Sequence, residues 1–368
     1  MTLTRTLWIG ALVSLALIGA VVAWGGRQPE EVSAGDYRVL PPITHGNLTI
    51  FPVVSDRRHD TNLFITLDEG LRSGEVVVSE AGQVQGLVRR RPTPPPRRDG
   101  AQVNRLVLVN NSDRPLLLLA GEIVTGGKQD RVVGKDRIVS GNSDPVDLSV
   151  FCVEPGRWTG TSAQFGGIAP GNGKSVYVTQ MAQPSVRKEA MADKDQQKVW
   201  SQVNESVRVM AGPAPSPGLA GTTSYARVMG NDEVQKKVDA VAAPMERSYE
   251  SAIKQLRNQK AVGVVVAIDG DIVWADIFAS TPLLEKYWPK LVRSYATEAI
   301  TRRGKKGGAD IKAAQAFLDD RSGNRQVVET EPGVFQHTEI VGSGFRVFEL
   351  ASLLPKTGFE VHLSKMAE

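Results

Sequence analysis

The order of the apolar runs along the chain constrains the fold more than any other feature of the sequence. Between residues 37 and 152 these runs are short, rich in Val, Leu and Ile, and separated by Gly, Asn, Asp and Pro. That pattern is typical of β-strands joined by turns. After residue 180 it changes to helix-length runs rich in Ala, Lys, Gln and Glu, over residues 182–209 and 231–257.

The last third of the chain alternates between the two kinds of pattern. The stretch AVGVVVAIDGDIVWADIFAS (261–280) predicts a hairpin with an Asp-Gly turn, and residues 282–303 predict an amphipathic helix. A further helix at 310–319 leads into four short apolar runs that predict closing antiparallel strands. The sequence therefore predicts an α+β fold, with a mixed or antiparallel β-rich N-terminal half and a helical middle, and not an alternating α/β fold.

An uncharged run at the N-terminus is the one segment that does not look globular. Residues 7–24 would form a helix about 27 Å long, which suffices for a thin bilayer core. The alternative is a secretory signal peptide, but the length of the run favours an uncleaved transmembrane anchor. We expect an anchor or signal peptide at 1–25, a linker at 26–36 and a single α+β domain at 37–364. The domain is then exported or membrane-anchored, on the extracytoplasmic (periplasmic) side.

An arginine- and proline-rich stretch, RRRPTPPPRR (89–98), interrupts the β-rich half. Proline excludes a central strand and favours an extended geometry, so we expect an exposed loop between two paired strands. An alternative role for this loop is adhesion to anionic lipid head groups.

Composition and motif spacing exclude several classes of function. A net charge of +4 over 368 residues gives no reason to expect nucleic-acid binding. The single cysteine excludes an intramolecular disulfide, and the four scattered histidines predict no metal site. Two Gly-Lys stretches, at 121–128 and 167–175, do not fit the spacing of a phosphate-binding P-loop. The sequence therefore indicates no particular cofactor.

A dense polar cluster follows a run of four leucines in LLLLAGEIVTGGKQDRVV (116–133). Glu122 lies in the strand after the leucines, and two glycines then permit a tight backbone turn. Lys128 and Arg131 supply fixed positive charge, and Gln129 supplies an amide donor. These side chains form a solvated turn between two strands, line a pocket, or form ion pairs near the core, as Glu122 would with Lys128 or Arg131.

Two further polar positions stand where apolar runs end or are interrupted. In CVEPGRWTG (152–160), Glu154, Arg157 and Trp158 follow a buried strand, and an arginine beside a tryptophan can stack on a ring or hold a phosphate. Asp276 falls on the same face as aromatic residues of its strand. A carboxylate there needs a partner or a task, because burying an unpaired charge is costly.

These motifs resemble the ARG and rhodanese-phosphatase-superfamily-associated protein domain. The resemblance rests on LLLLAGEIVTGGKQDRVV, VFCVEPGRW, VWSQVNESVR and GDIVWADIFAS with WPKLVRSYATEA, and it spans residues 37–364. It implies a link to ADP-ribose and NAD metabolism, since members of the family occur in neighbourhoods with ADP-ribosylglycohydrolases. The family's polar motif falls on Glu122, Lys128, Gln129, Arg131, Glu154, Arg157 and Trp158.

Three hypotheses for the function follow. The first is an envelope-anchored domain that binds a small anionic ligand, such as ADP-ribose or another nucleotide-like compound, with Trp158 packed on it. The second is a structural scaffold in the cell envelope that binds a protein partner. The third is a hydrolase with Glu122 or Glu154 as general base, so whether the chain is an enzyme stays open. We expect four side chains to converge in one region: Glu122, Lys128, Arg131 and Arg157.

Overall fold

The computed structural model describes residues 35–57, 59–81, 104–156, 164–166, 180–254, 260–302 and 307–368. This part of the chain contains nineteen strands, seven α-helices and one π-helix. The strands are β1 (Arg38–Val39), β2 (Ile43–His45), β3 (Leu48–Ser55), β4 (Ile65–Thr66), β5 (Val76–Glu80), β6 (Arg105–Asn110), β7 (Leu116–Leu118), β8 (Glu122–Gly126), β9 (Arg131–Val133), β10 (Arg137–Val139), β11 (Val146–Cys152), β12 (Gln164–Gly166), β13 (Gln180–Met181), β14 (Lys260–Ile268), β15 (Asp271–Phe278), β16 (Asn324–Glu331), β17 (Phe335–Gly342), β18 (Phe345–Ser352) and β19 (Glu360–Ala367). The helices are α1 (Leu67–Ser73), α2 (Pro184–Lys188), the π-helix (Glu189–Asp193), α3 (Gln196–Ala211), α4 (Tyr225–Met229), α5 (Asp232–Lys254), α6 (Thr281–Thr301) and α7 (Ile311–Asp319).

The largest sheet has nine antiparallel strands. Eight follow the order β1-β3-β14-β15-β19-β18-β17-β16, and β2 pairs with β3. The predicted hairpin is confirmed as β14–β15, with φ angles of +52° at Asp269 and +82° at Gly270. An Asp-Gly pair suits this turn because positive φ is least costly for these residues. The predicted closing strands are confirmed as β16 to β19, each paired antiparallel with the next.

Six strands of the β-rich half close into a barrel. Their order is β5-β6-β11-β9-β8-β12, and β12 pairs back with β5. Side chains of alternate residues fill the interior, among them Val78, Leu108, Val124 and Phe165. β13 extends the barrel from β8, and a small sheet in the order β10-β7-β4 lies beside it. The sequence predicted these strands as a mixed or antiparallel sheet, and the closure of the barrel is an addition to that prediction.

The helices of the middle segment and α6 join the barrel to the sheet. The largest buried cluster includes Leu117 of β7, Ile123 of β8, Val264 of β14 and Leu291 of α6. The helix α5 runs without interruption through Pro244. Packing of α5 against α6 holds the helix across the proline. The observed order of elements confirms the α+β class.

Two predictions about the first hundred residues fall on parts of the chain that the structure does not describe. They are the N-terminal anchor with nearly all of its linker, and the arginine- and proline-rich loop at 89–98. Within the described ranges, no helix is both long enough and apolar enough to cross a membrane.

Candidate functional site

Glu122, the first polar residue after the leucines, lies in a closed network of buried charges. Its side chain is 0% exposed, and its Oε2 atom accepts a hydrogen bond of 2.8 Å from the Leu119 backbone N–H. The other oxygen contacts the Lys290 ammonium group, which also donates to Asp68 at 2.7 Å. The ammonium group on Glu122 therefore comes from α6, whereas the sequence predicted Lys128 or Arg131 as its partner.

Two carboxylates share the single ammonium group of Lys290. Burial raises the pKa of Glu122 and the charge of Asp68 adds to this, against the attraction of Lys290. Burial lowers the pKa of Lys290, but the two carboxylates outweigh this effect, and the pKa is raised overall. The network therefore keeps Lys290 charged and favours protonation of Glu122.

The turn after β8 is held by hydrogen bonds among its own polar residues and their neighbours. The Asp130 carboxylate accepts from the Gly126 N–H at 3.0 Å and from the Ser224 hydroxyl at 2.7 Å. The Asp130 N–H donates to the Glu154 carboxylate at 3.1 Å, and the Gln129 amide donates to the Glu154 carbonyl at 3.1 Å. Gln129 and Glu154 thus connect the turn to the segment that follows β11.

The two remaining described residues of the predicted motif also contact the barrel. The Lys128 N–H donates to the Glu80 carboxylate at 2.8 Å, and the Lys128 side chain is half-buried. Arg131 is 0% exposed, and its guanidinium lies 3.4 Å from the Asp130 carbonyl oxygen. The other two motif residues, Arg157 and Trp158, lie outside the described residues.

Asp276 is surrounded by hydrogen-bond and ion-pair partners, as expected for a buried carboxylate. Arg187 of α2 donates two hydrogen bonds of 2.8 Å, one to each carboxylate oxygen, and Tyr295 of α6 donates a third. His362 of β19 lies 3.3 Å away through Nε2, while its Nδ1 lies 2.5 Å from Asp136. All four ionisable groups, Asp136, Arg187, Asp276 and His362, have fully buried side chains. The network therefore joins the sheet to the loop between β9 and β10.

The charges in this network fix one another's protonation. Burial works to raise the pKa of Asp276, but Arg187 and His362 outweigh it and hold the pKa far below its usual range. Burial likewise lowers the pKa of His362, and the carboxylates of Asp136 and Asp276 more than reverse this, raising it to about 9. His362 is therefore an imidazolium at neutral pH and bridges two carboxylates.

The raised pKa of His362 predicts a loss of stability at alkaline pH. The unfolded-state pKa is about 6.5, so the contribution of His362 is complete below that pH and is lost as the pH rises through about 9. The shift corresponds to about 3 kcal/mol. We expect the difference in unfolding free energy between wild type and His362→Gln to shrink by about this amount between pH 6 and pH 10, measured by urea denaturation.

Comparing the two proteins is necessary because other groups titrate in the same range. Burial lowers the pKa of Lys365 to about 8, so the contribution of Lys365 to the unfolding free energy grows over this interval. The pKa of Glu360 is raised to about 7, so the contribution of Glu360 falls. The contribution of Lys365 is common to wild type and His362→Gln and cancels in the difference. That of Glu360 cancels in part, because the charge of His362 lowers the pKa of Glu360. A difference that stays constant from pH 6 to pH 10 contradicts the assignment of an imidazolium.

A polar cavity of about 770 Å³ lies beside this network, between α2, α3, the end of α6 and the β14–β15 turn. Glu298 is 1% exposed, and its Oε2 accepts from the backbone N–H and hydroxyl of Ser185 and from the Gln183 amide, at 2.8–3.0 Å. Within the described residues its Oε1 accepts no hydrogen bond, and the nearest cation, Arg302, is 3.9 Å away. Glu298 lines the cavity and therefore has one buried carboxylate oxygen with capacity for a further hydrogen bond.

Trp274 supplies the complementary donor on another wall of the cavity. Its side chain is 1% exposed, and the indole N–H has no acceptor within the described part of the chain. The Arg187 guanidinium lies 4.4 Å from the ring centroid of the indole and fixes its position. The sequence placed Trp274 and Asp276 on one face of a strand, but it could not show that a cavity opens beside the tryptophan.

The charge of the cavity wall is predominantly negative. The described lining residues include five carboxylates and two cations, namely Glu189, Glu205, Asp271, Glu298, Glu368, Lys188 and Arg302. Such a wall favours hydroxyl groups and cations over a cluster of phosphates, except near the two cations.

The fold and the site define a mixed α+β domain in which a six-stranded barrel and a large antiparallel sheet enclose buried charge networks beside a polar cavity. A family model, described as the ARG and Rhodanese-Phosphatase-superfamily-associated Protein domain, matches residues 36–365. The chain belongs to this family, as its motifs predicted. Neither the curated proteins nor the solved structures contain a match to it.

Proposed function

We propose that this domain binds a hydroxyl-bearing small molecule of nucleotide size, such as ADP-ribose, in the 770 Å³ cavity. The observation that carries the proposal is that two residues lining the cavity, Trp274 and Glu298, each have a buried polar atom, the indole N–H and Oε1, that lacks a hydrogen-bond partner in the described residues. Leaving such atoms unsatisfied costs about 1–3 kcal/mol each. A ligand that occupies the cavity removes that cost.

Hydroxyl groups are the simplest ligand groups that satisfy both atoms. A hydroxyl oxygen accepts from the Trp274 N–H, and a hydroxyl hydrogen is donated to the Glu298 carboxylate. The ribosyl groups of a nucleotide-like ligand carry several hydroxyls, and Lys188 and Arg302 are the cations that would face its phosphates. A volume of 770 Å³ is within the usual range for small-molecule sites, about 300–1,000 Å³.

The cavity takes the place of the polar cluster after the leucines as the proposed ligand site. Glu122, Gln129 and Glu154 are buried and hydrogen-bonded to protein groups, which supports a structural role for them. For Lys128 and for Arg157 and Trp158, contact with a ligand stays a prediction.

Ligand binding should depend on the indole N–H of Trp274. We expect ADP-ribose, and also adenosine, which keeps a ribose without phosphates, to raise the melting temperature of the full-length chain. Trp274→Phe keeps an aromatic ring and removes the donor. It should weaken ADP-ribose binding about fivefold, because a neutral hydrogen bond is worth about 1 kcal/mol. Isothermal titration calorimetry measures the change.

Trp288→Phe is the matched control for this experiment. The Trp288 indole is also buried and lacks a hydrogen-bond acceptor in the described part, but it packs on Tyr249 and does not line the cavity. It should leave the affinity for ADP-ribose unchanged. No thermal shift with either ligand, or an equal loss of affinity in both variants, would refute the proposal.

The closed charge networks support a second candidate, a structural or protein-binding scaffold in the cell envelope. Networks around Glu122 and Asp276 join strands and helices that lie far apart in the sequence. For the third hypothesis, a hydrolase, Glu298 is one of five carboxylates on the described cavity lining, which includes neither Glu122 nor Glu154. The ligand test separates these candidates, since a scaffold binds neither ADP-ribose nor adenosine.

We further propose that the uncharged N-terminal run, residues 7–24, holds the domain at a membrane on the extracytoplasmic side. Support comes from the length of the run, which suffices for a thin bilayer core. The full-length protein should sediment with membranes and resist extraction by high salt, while a chain lacking residues 1–34 should stay in the supernatant. Full-length protein in the supernatant would contradict the proposal.

A further inference from the structure

We propose that a second cavity, beside His337, is a binding site for a small apolar carboxylate. The cavity has a volume of about 350 Å³ and lies between β11, the π-helix and strands β16 to β18. His337 lines it and is 2% exposed, and within the described residues neither ring nitrogen has a hydrogen-bond partner. A buried imidazole without partners is unusual, because each unsatisfied polar atom costs free energy. The site goes beyond the proposed function and shares no lining residue with the larger cavity.

The other walls of the cavity suit an apolar ligand body. Phe348 stacks on the His337 ring, with centroids 5.9 Å apart and planes 20° apart. Val150, Phe151 and Met191 are further lining residues with apolar side chains. An aromatic or branched ligand body would therefore replace water at a mostly apolar surface, which favours binding.

The helix that borders the cavity carries a second, independent sign of a ligand site. Ala190 and Met191 belong to the π-helix Glu189–Asp193, and Lys194 follows it with a left-handed φ of +52°. A π-helical turn inserts a residue into a helix, is less stable than the α-helical form, and occurs frequently at functional sites. Here it places Met191 and Lys194 together on the cavity lining.

Two lysines give the cavity its preference for an anion. Lys135 and Lys194 line it, with side chains 36% and 56% exposed, so they stand on its solvent side. Glu329 is the one carboxylate among the described lining residues, and it pairs with Lys135. Lys194 is held more loosely, 3.5 Å from Glu339. A ligand carboxylate could thus accept from the His337 N–H deep in the cavity and be attracted by Lys194 outside.

Binding of a carboxylate should be coupled to uptake of a proton by His337. Burial lowers the pKa of the free His337, and the positive charges of Lys135 and Lys194 lower it further, while Asp136 and Glu329 act in the opposite direction. A carboxylate against the ring adds a negative charge and raises the pKa. The affinity should therefore be higher at pH 6 than at pH 8, by up to about tenfold for each unit by which the ligand raises the pKa.

The test is a calorimetric titration of the full-length chain with phenylacetate at pH 6 and pH 8. Phenylacetamide, which has the same body without the charge, is the matched ligand. We expect phenylacetate to bind more tightly at pH 6, to bind more tightly than phenylacetamide, and to take up protons when titrated in buffers of different ionisation enthalpy. Equal affinities at both pH values, equal affinities for the two compounds, or no binding would overturn the proposal.

Two variants separate a ligand-binding histidine from a structural one. His337→Phe removes both ring nitrogens but keeps a flat ring against Phe348. It should abolish phenylacetate binding and leave the melting temperature unchanged or raised, because a buried polar group without partners is removed. Trp274→Phe should leave phenylacetate binding unchanged. The proposal of a carboxylate site and the proposal of an ADP-ribose site can therefore be refuted separately. Retained binding in His337→Phe would overturn the assignment.

Discussion

Replacing Arg187 by methionine is expected to lower the unfolding free energy of this domain by about 3–5 kcal/mol. Both hydrogen bonds from Arg187 to Asp276 are 2.8 Å long, and both side chains are 0% exposed. The substitution leaves Asp276 and Asp136 buried with His362 as the one remaining cation of the described network. It also removes the guanidinium that packs on Trp274 at 4.4 Å. Urea denaturation followed by circular dichroism measures the loss.

Arg208→Met is the control for removal of an arginine from a salt bridge. Arg208 pairs with Glu205 at 2.6 Å, but the two side chains are 72% and 52% exposed. Exposed pairs contribute little to stability, so Arg208→Met should be close to neutral. Asp276→Asn combined with Arg187→Met should cost less than the sum of the single losses, because the uncompensated charge is gone. If Arg187→Met lowers the unfolding free energy no more than Arg208→Met does, the buried network does not stabilise the fold.

Local patterns were sufficient to predict the α+β class of this fold, its hairpin and its closing strands. Thr66 and Glu69, which are three residues apart, cap α1 with reciprocal hydrogen bonds. The Asp-Gly hairpin depends on two adjacent residues. These features were predictable because the residues that determine them are neighbours in the sequence.

Closure of the barrel could not be predicted in this way. It requires β12 to pair on one side with β5 and on the other with β8, and no local pattern specifies a pairing across such distances. Gly127 shows one local requirement of the closed form, because a Cβ atom there would lie 2.2 Å from the Phe165 ring of β12. A glycine in this turn was predictable, but the ring that requires it was not.

The partners of the polar residues could not be predicted from the sequence either. Asp276 was expected to need a partner, yet its partners Arg187 and His362 are supplied by α2 and β19. Lys290 lies in an amphipathic helix, where a lysine usually marks the solvent face, and it is 5% exposed. The pattern of a single helix does not show that carboxylates from other elements will surround such a residue.

Lys290→Met is the second substitution with a large expected effect, about 3–5 kcal/mol of unfolding free energy. The change leaves the Glu122 carboxylate, which is 0% exposed, beside Asp68 without the ammonium group that both contact. Glu122 also accepts from the Leu119 N–H, so the network fixes the turn that follows the leucine strand β7. Urea denaturation at pH 7.5 measures the loss.

Lys286→Met, one turn earlier on α6, is the matched control. Lys286 also pairs with a carboxylate of α1, Glu69 at 2.9 Å, but the two side chains are 29% and 38% exposed, so we expect a cost of about 1 kcal/mol or less. The cost of Lys290→Met should also fall at pH 5, because burial and Asp68 raise the pKa of Glu122 and protonation then removes its charge. Equal costs for the two lysine variants, or a cost of Lys290→Met that does not change with pH, would show that Glu122 does not depend on Lys290 for its charge balance. The leucine strand would then be held by its apolar packing alone.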